Sequence, residues 1–212
     1  LTLEQLKQLD AADNWPEHRG KAATNPDFRI PTLREVLEEF PDELINIEIK
    51  ATAPDTVPYE RELAALLQEY GRGQDTIVES FLDHAVEMFK TFAPEIDSAT
   101  GTGEAGVFWA TTQGPLPGSP SVRHQALQVP IEFNGVTVVT PEFIRDAHNS
   151  GYAVHVWTIN DAETMRWLIE CGVDGIMTDR PTLLEEIVSE MGVSYKRNGK
   201  KPKGKSFATC VE

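Results

Sequence analysis

The sequence predicts an α/β fold of parallel strands joined by helices, derived from a (β/α)8 barrel but with too few strands to close one. Three observations carry this prediction. Apolar runs with a two-residue period alternate along the chain with runs of helical period. The crossovers between successive strands are long enough for parallel pairing and right-handed connection. Two strand-end motifs, Asn46-Ile47-Glu48-Ile49-Lys50 and Val154-His155-Val156-Trp157-Thr158-Ile159-Asn160, lie about 110 residues apart. Each ends an alternating run in residues able to do chemistry, as strands do at the carboxyl rim of a parallel barrel.

The elements follow in order. Thr2-x-x-Gln5 starts a helix carrying Leu3, Leu6 and Leu9, and residues 13–30 are turn-rich loop. Thr32-x-x-Glu35 is a capping box for a helix with Leu33, Val36, Leu37 and Phe40 on one face. Leu44 to Lys50 is a strand, with Ile45, Ile47 and Ile49 on one face and Asn46, Glu48 and Lys50 on the other. A helix over 59–70 stops at Gly71, and Thr76 to Phe81 is the next strand. Asp83 caps a helix ending near Pro94, and Ile96 to Thr100 is a short strand. A helix over 104–110, a proline-rich loop over 114–120 and a short strand over 127–130 come next. Thr140-Pro141 opens a helix that Gly151 ends. Tyr152 to Asn160 is a strand, Asp161 caps a helix closed by Gly172, and Asp174 to Thr178 is the last strand. Thr182-x-x-Glu185 opens the last helix. Six strands are visible, whereas a closed barrel needs eight.

Composition narrows the function classes. Of the 212 residues, 40% are hydrophobic and 25% charged, an ordinary globular balance for one domain with a real core. No apolar run is long enough for a transmembrane span. Six of the 19 basic residues fall within 196–205, so the first 195 residues hold 13 basic against 33 acidic side chains. Such a surface disfavours nucleic acid and anionic membrane, and a bound phosphate needs a metal ion or a placed lysine. Residues 191–212 read as a basic, disordered tail after a domain over 1–190. Two cysteines imply no disulfide framework, and Cys171 reads as a small buried apolar residue.

Asn46, Glu48 and Lys50 face inward if the isoleucines pack outward. A carboxylate two residues from an ammonium at a barrel mouth suits a hard divalent cation and a phosphate. The same alternation equally describes a salt-bridged strand face. Trp157 at the mouth can cover an apolar part of a substrate or simply pack at the rim. His155 lies one pleat deeper and reads as a hydrogen-bonded interior residue.

These segments, with IPTLREVLEEFPDELINIEIK (30–50), VESFLDH (78–84), TPEFIRDAHNSGYAVHVWTIND (140–161) and GVDGIMTDRP (172–181), resemble the glycerophosphodiester phosphodiesterases. The blocks keep the family's order and spacing over residues 1–188. The resemblance implies a (β/α)8 fold of the PLC-like phosphodiesterase type and a divalent cation, Ca²⁺ or Mg²⁺. It implies cleavage of glycerophosphodiesters into glycerol 3-phosphate and an alcohol. By the same resemblance Glu48 is a metal ligand, Lys50 lies near the substrate phosphate and Trp157 lines the glycerol side. Glu79, at the end of the next strand, is carried as a possible pocket residue.

One departure is large. The family's acid–base histidines and two further metal-binding carboxylates belong to strands expected upstream of LTLEQLKQLD. His18-Arg19-Gly20 follows no strand and reads as loop, and Asp83-His84 reads as helix-capping sequence. The chain is therefore expected to be a C-terminal portion with no catalytic residue retained, inactive alone. The alternatives are a phospholipase D-like relative on the same fold and a non-catalytic, barrel-derived binding protein. The expected partner is a small-molecule glycerophosphodiester, the cytoplasm is the favoured compartment, and oligomeric state is left open.

Overall fold

The computed structural model describes residues 1–13, 20, 25, 28–114 and 123–193. His18 and Arg19 of the HRG tripeptide, the 115–120 loop, the basic tail and Cys210 lie outside the described residues. Contacts divide the chain into two units, Leu1–Asp42 and Glu43–Glu212.

The first unit holds α1 (Leu3–Leu6) and α2 (Leu33–Glu39), each opened by the predicted capping box. In both, the threonine hydroxyl accepts from the N3 amide while the N3 side chain accepts from the threonine amide. Lys7 pairs with Glu35, and Arg29 Nη1 donates to the Lys7 carbonyl at 3.0 Å.

The second unit runs β1 (Ile45–Glu48), α3 (Glu60–Glu69), β2 (Thr76–Glu79), α4 (Asp83–Phe92), β3 (Asp97–Ser98) and α5 (Thr102–Thr112). It continues through β4 (Ala126–Pro130), β5 (Glu132–Phe133), β6 (Val136–Thr137), α6 (Pro141–Asn149), β7 (Ala153–Trp157), α7 (Ala162–Cys171), β8 (Gly175–Ile176) and α8 (Pro181–Glu190). The parallel ladders run β1-β2-β3 and β4-β7-β8, joined by an isolated parallel bridge between Ala99 and Ala126. Among the described residues no ladder joins β1 to β8. The sheet nevertheless curls: Gln128 Nε2 on β4 donates to Asn46 Oδ1 on β1 at 3.0 Å, across two intervening strands. Alternation explains which side is which. Leu127, Val129, Val154 and Val156 point outward into a core completed by Phe143, Ile144, Met165, Leu168 and Ile187. Phe108 meets Phe143 and Tyr152 edge to face, with centroids 5.7 and 5.3 Å apart.

Several local expectations change. Leu82, not Asp83, is the N-cap of α4. The Asp83 carboxylate instead accepts from the Gly103 and Glu104 amides, both at 3.0 Å, and so caps α5 from the neighbouring helix. Helix α5 extends beyond the expected 104–110 at both ends. The Thr182 box does not form, because Pro181 takes the first helical position and Arg180 becomes the N-cap. Cys171 packs, half-buried, against the core. The β5–β6 hairpin was not foreseen at all.

Candidate active site

The strands end in one cavity of about 620 Å³. Glu48, Lys50, Glu79 and Trp157, the four predicted site residues, all line it. Glu48 and Glu79 are register partners in the β1–β2 ladder, so their carboxylates leave the sheet side by side. Ser80 locks the two strand ends together: its hydroxyl donates to the Ile49 carbonyl at 2.6 Å and accepts from the Leu82 amide at 3.1 Å. Ile49, only 1% exposed, anchors that end in the core, which leaves Glu48 and Lys50 turned the other way.

The electrostatics follow from this crowding. Burial and the neighbouring Glu48 charge push the Glu79 carboxyl up to about 7, and Lys50 offsets this only in part. Lys50 is ion-paired with Glu48, which holds its ammonium above the ordinary lysine range.

The opposite wall is apolar. Trp157 meets Phe81 edge to face at 5.5 Å, so a β7 side chain touches one at the end of β2. Pro130, Phe133, Val136, Val138 and Trp109 continue the wall. The sequence reading missed Phe133 and Val136, although a signal was present. Asn134-Gly135 is the pair that the two left-handed positions of a type I′ turn demand, and both have positive φ, 52° and 78°.

His155 lies below the cavity as expected. Its Nδ1 lies 3.1 Å from Gln128 Nε2, which extends the Asn46–Gln128 contact into a polar belt across the lumen. Burial lowers its pKa, so the ring stays neutral and accepts from the amide. No described histidine lines the cavity. Asn160 and Asp174, the polar loop residues after β7 and before β8, instead hold the framework together. Asn160 Oδ1 accepts from the Thr178 hydroxyl and the Asp179 amide at 3.0 and 2.9 Å, which ties the β7 and β8 loops. Asp174 accepts from the Val154 amide and contacts His148 Nε2, both at 2.8 Å.

A second group has ligating geometry away from the cavity. Glu87 on α4, Glu104 on α5 and His124 just before β4 bring one ligand atom each within 4.8 Å of one another.

Two carboxylates and a lysine thus meet at the carboxyl rim of a curled parallel sheet on a barrel-derived fold. The profile of the glycerophosphoryl diester phosphodiesterase family matches residues 1–183, and the chain belongs to that family. It is 31% identical over 200 residues to a glycerophosphodiester phosphodiesterase of Caldanaerobacter subterraneus subsp. tengcongensis, covering 91% of this chain and 73% of that one. A glycerophosphodiester phosphodiesterase of Parabacteroides distasonis superposes with a TM-score of 0.64 at 21% identity, over 90% of this chain and 72% of that one. A phosphodiesterase of Oleispira antarctica, in complex with the product sn-glycerol-3-phosphate, gives 0.59 at 21% identity, over 89% and 70%. Family membership and the Glu87–Glu104–His124 group both point to a divalent metal.

Proposed function

We propose that the cavity binds a glycerophosphodiester beside a divalent cation held by Glu48 and Glu79, for cleavage to glycerol 3-phosphate and an alcohol. The observation that carries this is the convergence of Glu48, Lys50, Glu79 and Trp157 on one cavity. Two adjacent carboxylates, one driven up to about 7 by the other's charge and by burial, are what a cation would relieve. All-oxygen donors suit Ca²⁺ or Mg²⁺. Bound there, the cation would supply charge neutralisation for phosphoryl oxygens. Lys50, three-quarters exposed, can turn from Glu48 to a phosphate. Trp157 and Phe81 offer the glycerol carbons an apolar face. Thr100 Oγ1 and Trp109 Nε1, in residues that line the cavity, are buried without a hydrogen-bond partner among the described residues.

The same cavity lacks a described histidine to protonate a leaving alkoxide or activate a nucleophile. Such groups are each worth about 10²–10⁴-fold. We therefore expect the 212-residue chain to bind its substrate without turning it over. A second reading rests on the apolar wall of Phe81, Trp109, Phe133 and Val136, which favours a diester bearing a hydrocarbon chain. A relative in Rattus norvegicus, 24% identical over 83% of this chain, is a lysophospholipase D.

Calorimetry of glycerol 3-phosphate binding tests the reading. Affinity should require Ca²⁺ or Mg²⁺ and fall about tenfold or more in Glu48→Gln and in Lys50→Ala. Cation-independent binding, or binding untouched by Glu48→Gln, overturns it. Glycerophosphocholine should hydrolyse at the buffer rate; metal-dependent turnover lost on His18→Ala would overturn the inactivity.

A further inference from the structure

We propose that Glu87, Glu104 and His124 form a Zn²⁺ site on the helix side of the sheet, separate from the hydrolytic cavity. None of the three lines that cavity. The His124 side chain is 1% exposed, and its Nδ1 is fixed by Ser98 Oγ at 2.8 Å, so its Nε2 has a set direction. That nitrogen lies 2.9 Å from Glu87 Oε1 and 3.4 Å from Glu104 Oε2. A neutral or charged imidazole has one N–H there, which cannot serve two carboxylates well. One Zn²⁺ serves all three donors. With zinc–ligand distances near 2.0–2.2 Å, tetrahedral ligand atoms stand about 3.3 Å apart, close to the two nitrogen–oxygen separations, and the two carboxylate oxygens lie within 4.8 Å of each other. Ser98 then accepts from Nδ1–H, the partner that a metal-bound imidazole ordinarily has behind it. Glu87 and Glu104 are 41% and 35% exposed, which leaves an entry path and room for water as fourth ligand.

The donor set selects the ion. An imidazole with two carboxylates suits a borderline transition ion, whereas Ca²⁺ and Mg²⁺ prefer oxygen alone. Arg123 pairs with Glu87 Oε2, leaving Oε1 for the metal, and its charge opposes the cation. The site joins α4, α5 and the entry to β4, so its role is structural.

The test is titration of the chelator-stripped full chain with Zn²⁺ alone, by competition with a chromogenic chelator and by thermal melting. One equivalent should bind at least tenfold tighter than Mg²⁺ or Ca²⁺ and raise Tm by roughly 5 °C at a hundredfold excess over Kd. Glu104→Gln, at a half-exposed position that leaves the fold intact, should abolish both effects, as should His124→Gln. Arg123→Gln should tighten binding. Glu48→Gln should leave zinc binding unchanged, so failure here is distinct from failure of the cavity assignment. Zinc binding unaffected by Glu104→Gln, lost in Glu48→Gln, or no tighter than Mg²⁺ overturns the proposal.

Discussion

Gly175 on β8 sits against His155 on β7, and the Gly175→Ala substitution probes that contact. A Cβ there would stand 2.8 Å from His155 Cδ2, inside the closest approach real side chains tolerate, and 3.1 Å from Cγ, tighter than most real contacts. Backbone strain does not confuse the result, since Gly175 is not among the residues with positive φ. The imidazole cannot yield freely, because its Nδ1 is held by Gln128 and that amide by Asn46. Overpacking of this kind costs about 1–3 kcal/mol, and breaking the ring's hydrogen bond about 1 kcal/mol more. The expected loss is about 2–3 kcal/mol, or roughly 5–10 °C in Tm for a chain of this length. The decisive measurement is a double-mutant cycle by denaturant unfolding. With His155→Ala the added methyl has space, and its cost should fall to about zero, leaving a coupling of about 2 kcal/mol. Additive losses in the two backgrounds would show that the His155 ring is not what meets residue 175, and the lumen belt would have to be redrawn.

Glu79 carries the pH prediction. Its folded pKa of about 7 lies above the ordinary 4.5, so the folded state holds the proton more tightly. The stability this contributes is full below about 4.5 and is lost as pH rises through about 7. The shift corresponds to at most about 3.4 kcal/mol, and solvent screening of this half-exposed group reduces that to about 1–2 kcal/mol. Metal-free Glu79→Gln should therefore melt higher than the wild type at pH 8 and match it near pH 4.5; equal melting at pH 8 refutes the assignment. Asp83→Ala should cost about 1–2 kcal/mol by uncapping α5, with Asp83→Asn recovering part of it in thermal melts. A neutral Asp83→Ala would mean the carboxylate is dispensable to that helix.

Much of this architecture was legible because local rules agreed with the tertiary outcome. Thr2, Thr32, Thr140 and Asp161 cap the helices they were read to cap, since each hydroxyl or carboxylate precedes an apolar periodic run. The alternation of Ile45, Ile47 and Ile49 with Asn46 and Glu48 put the polar face toward the lumen. Local reasoning failed where a neighbour outbid it. Asp83 reads as a cap for its own helix, yet the amides of α5 lie within its reach, and nothing in the chain near residue 83 announces them. Thr182 lost its role to Pro181, whose fixed φ begins the helix two residues earlier. The pairing of Glu48 with Glu79 depends on parallel register, which the sequence does not encode within either strand.

The cavity has a seam through its floor. Glu48, Lys50, Glu79 and Phe81 belong to the β1-β2-β3 ladder and its strand ends, while Gln128, Pro130 and Trp157 belong to β4-β7-β8. Among the described residues the backbone offers one bridge between them, with Thr100 N donating to the Ala126 carbonyl and Gln125 N to that of Ser98. The carboxylates and the aromatic wall therefore sit on separate jaws. Two side-chain contacts cross between the jaws at the lumen, Asn46–Gln128 and Phe81–Trp157. A molecule gripping both jaws would add to these contacts, so binding in the cavity would also stiffen the junction between the two ladders.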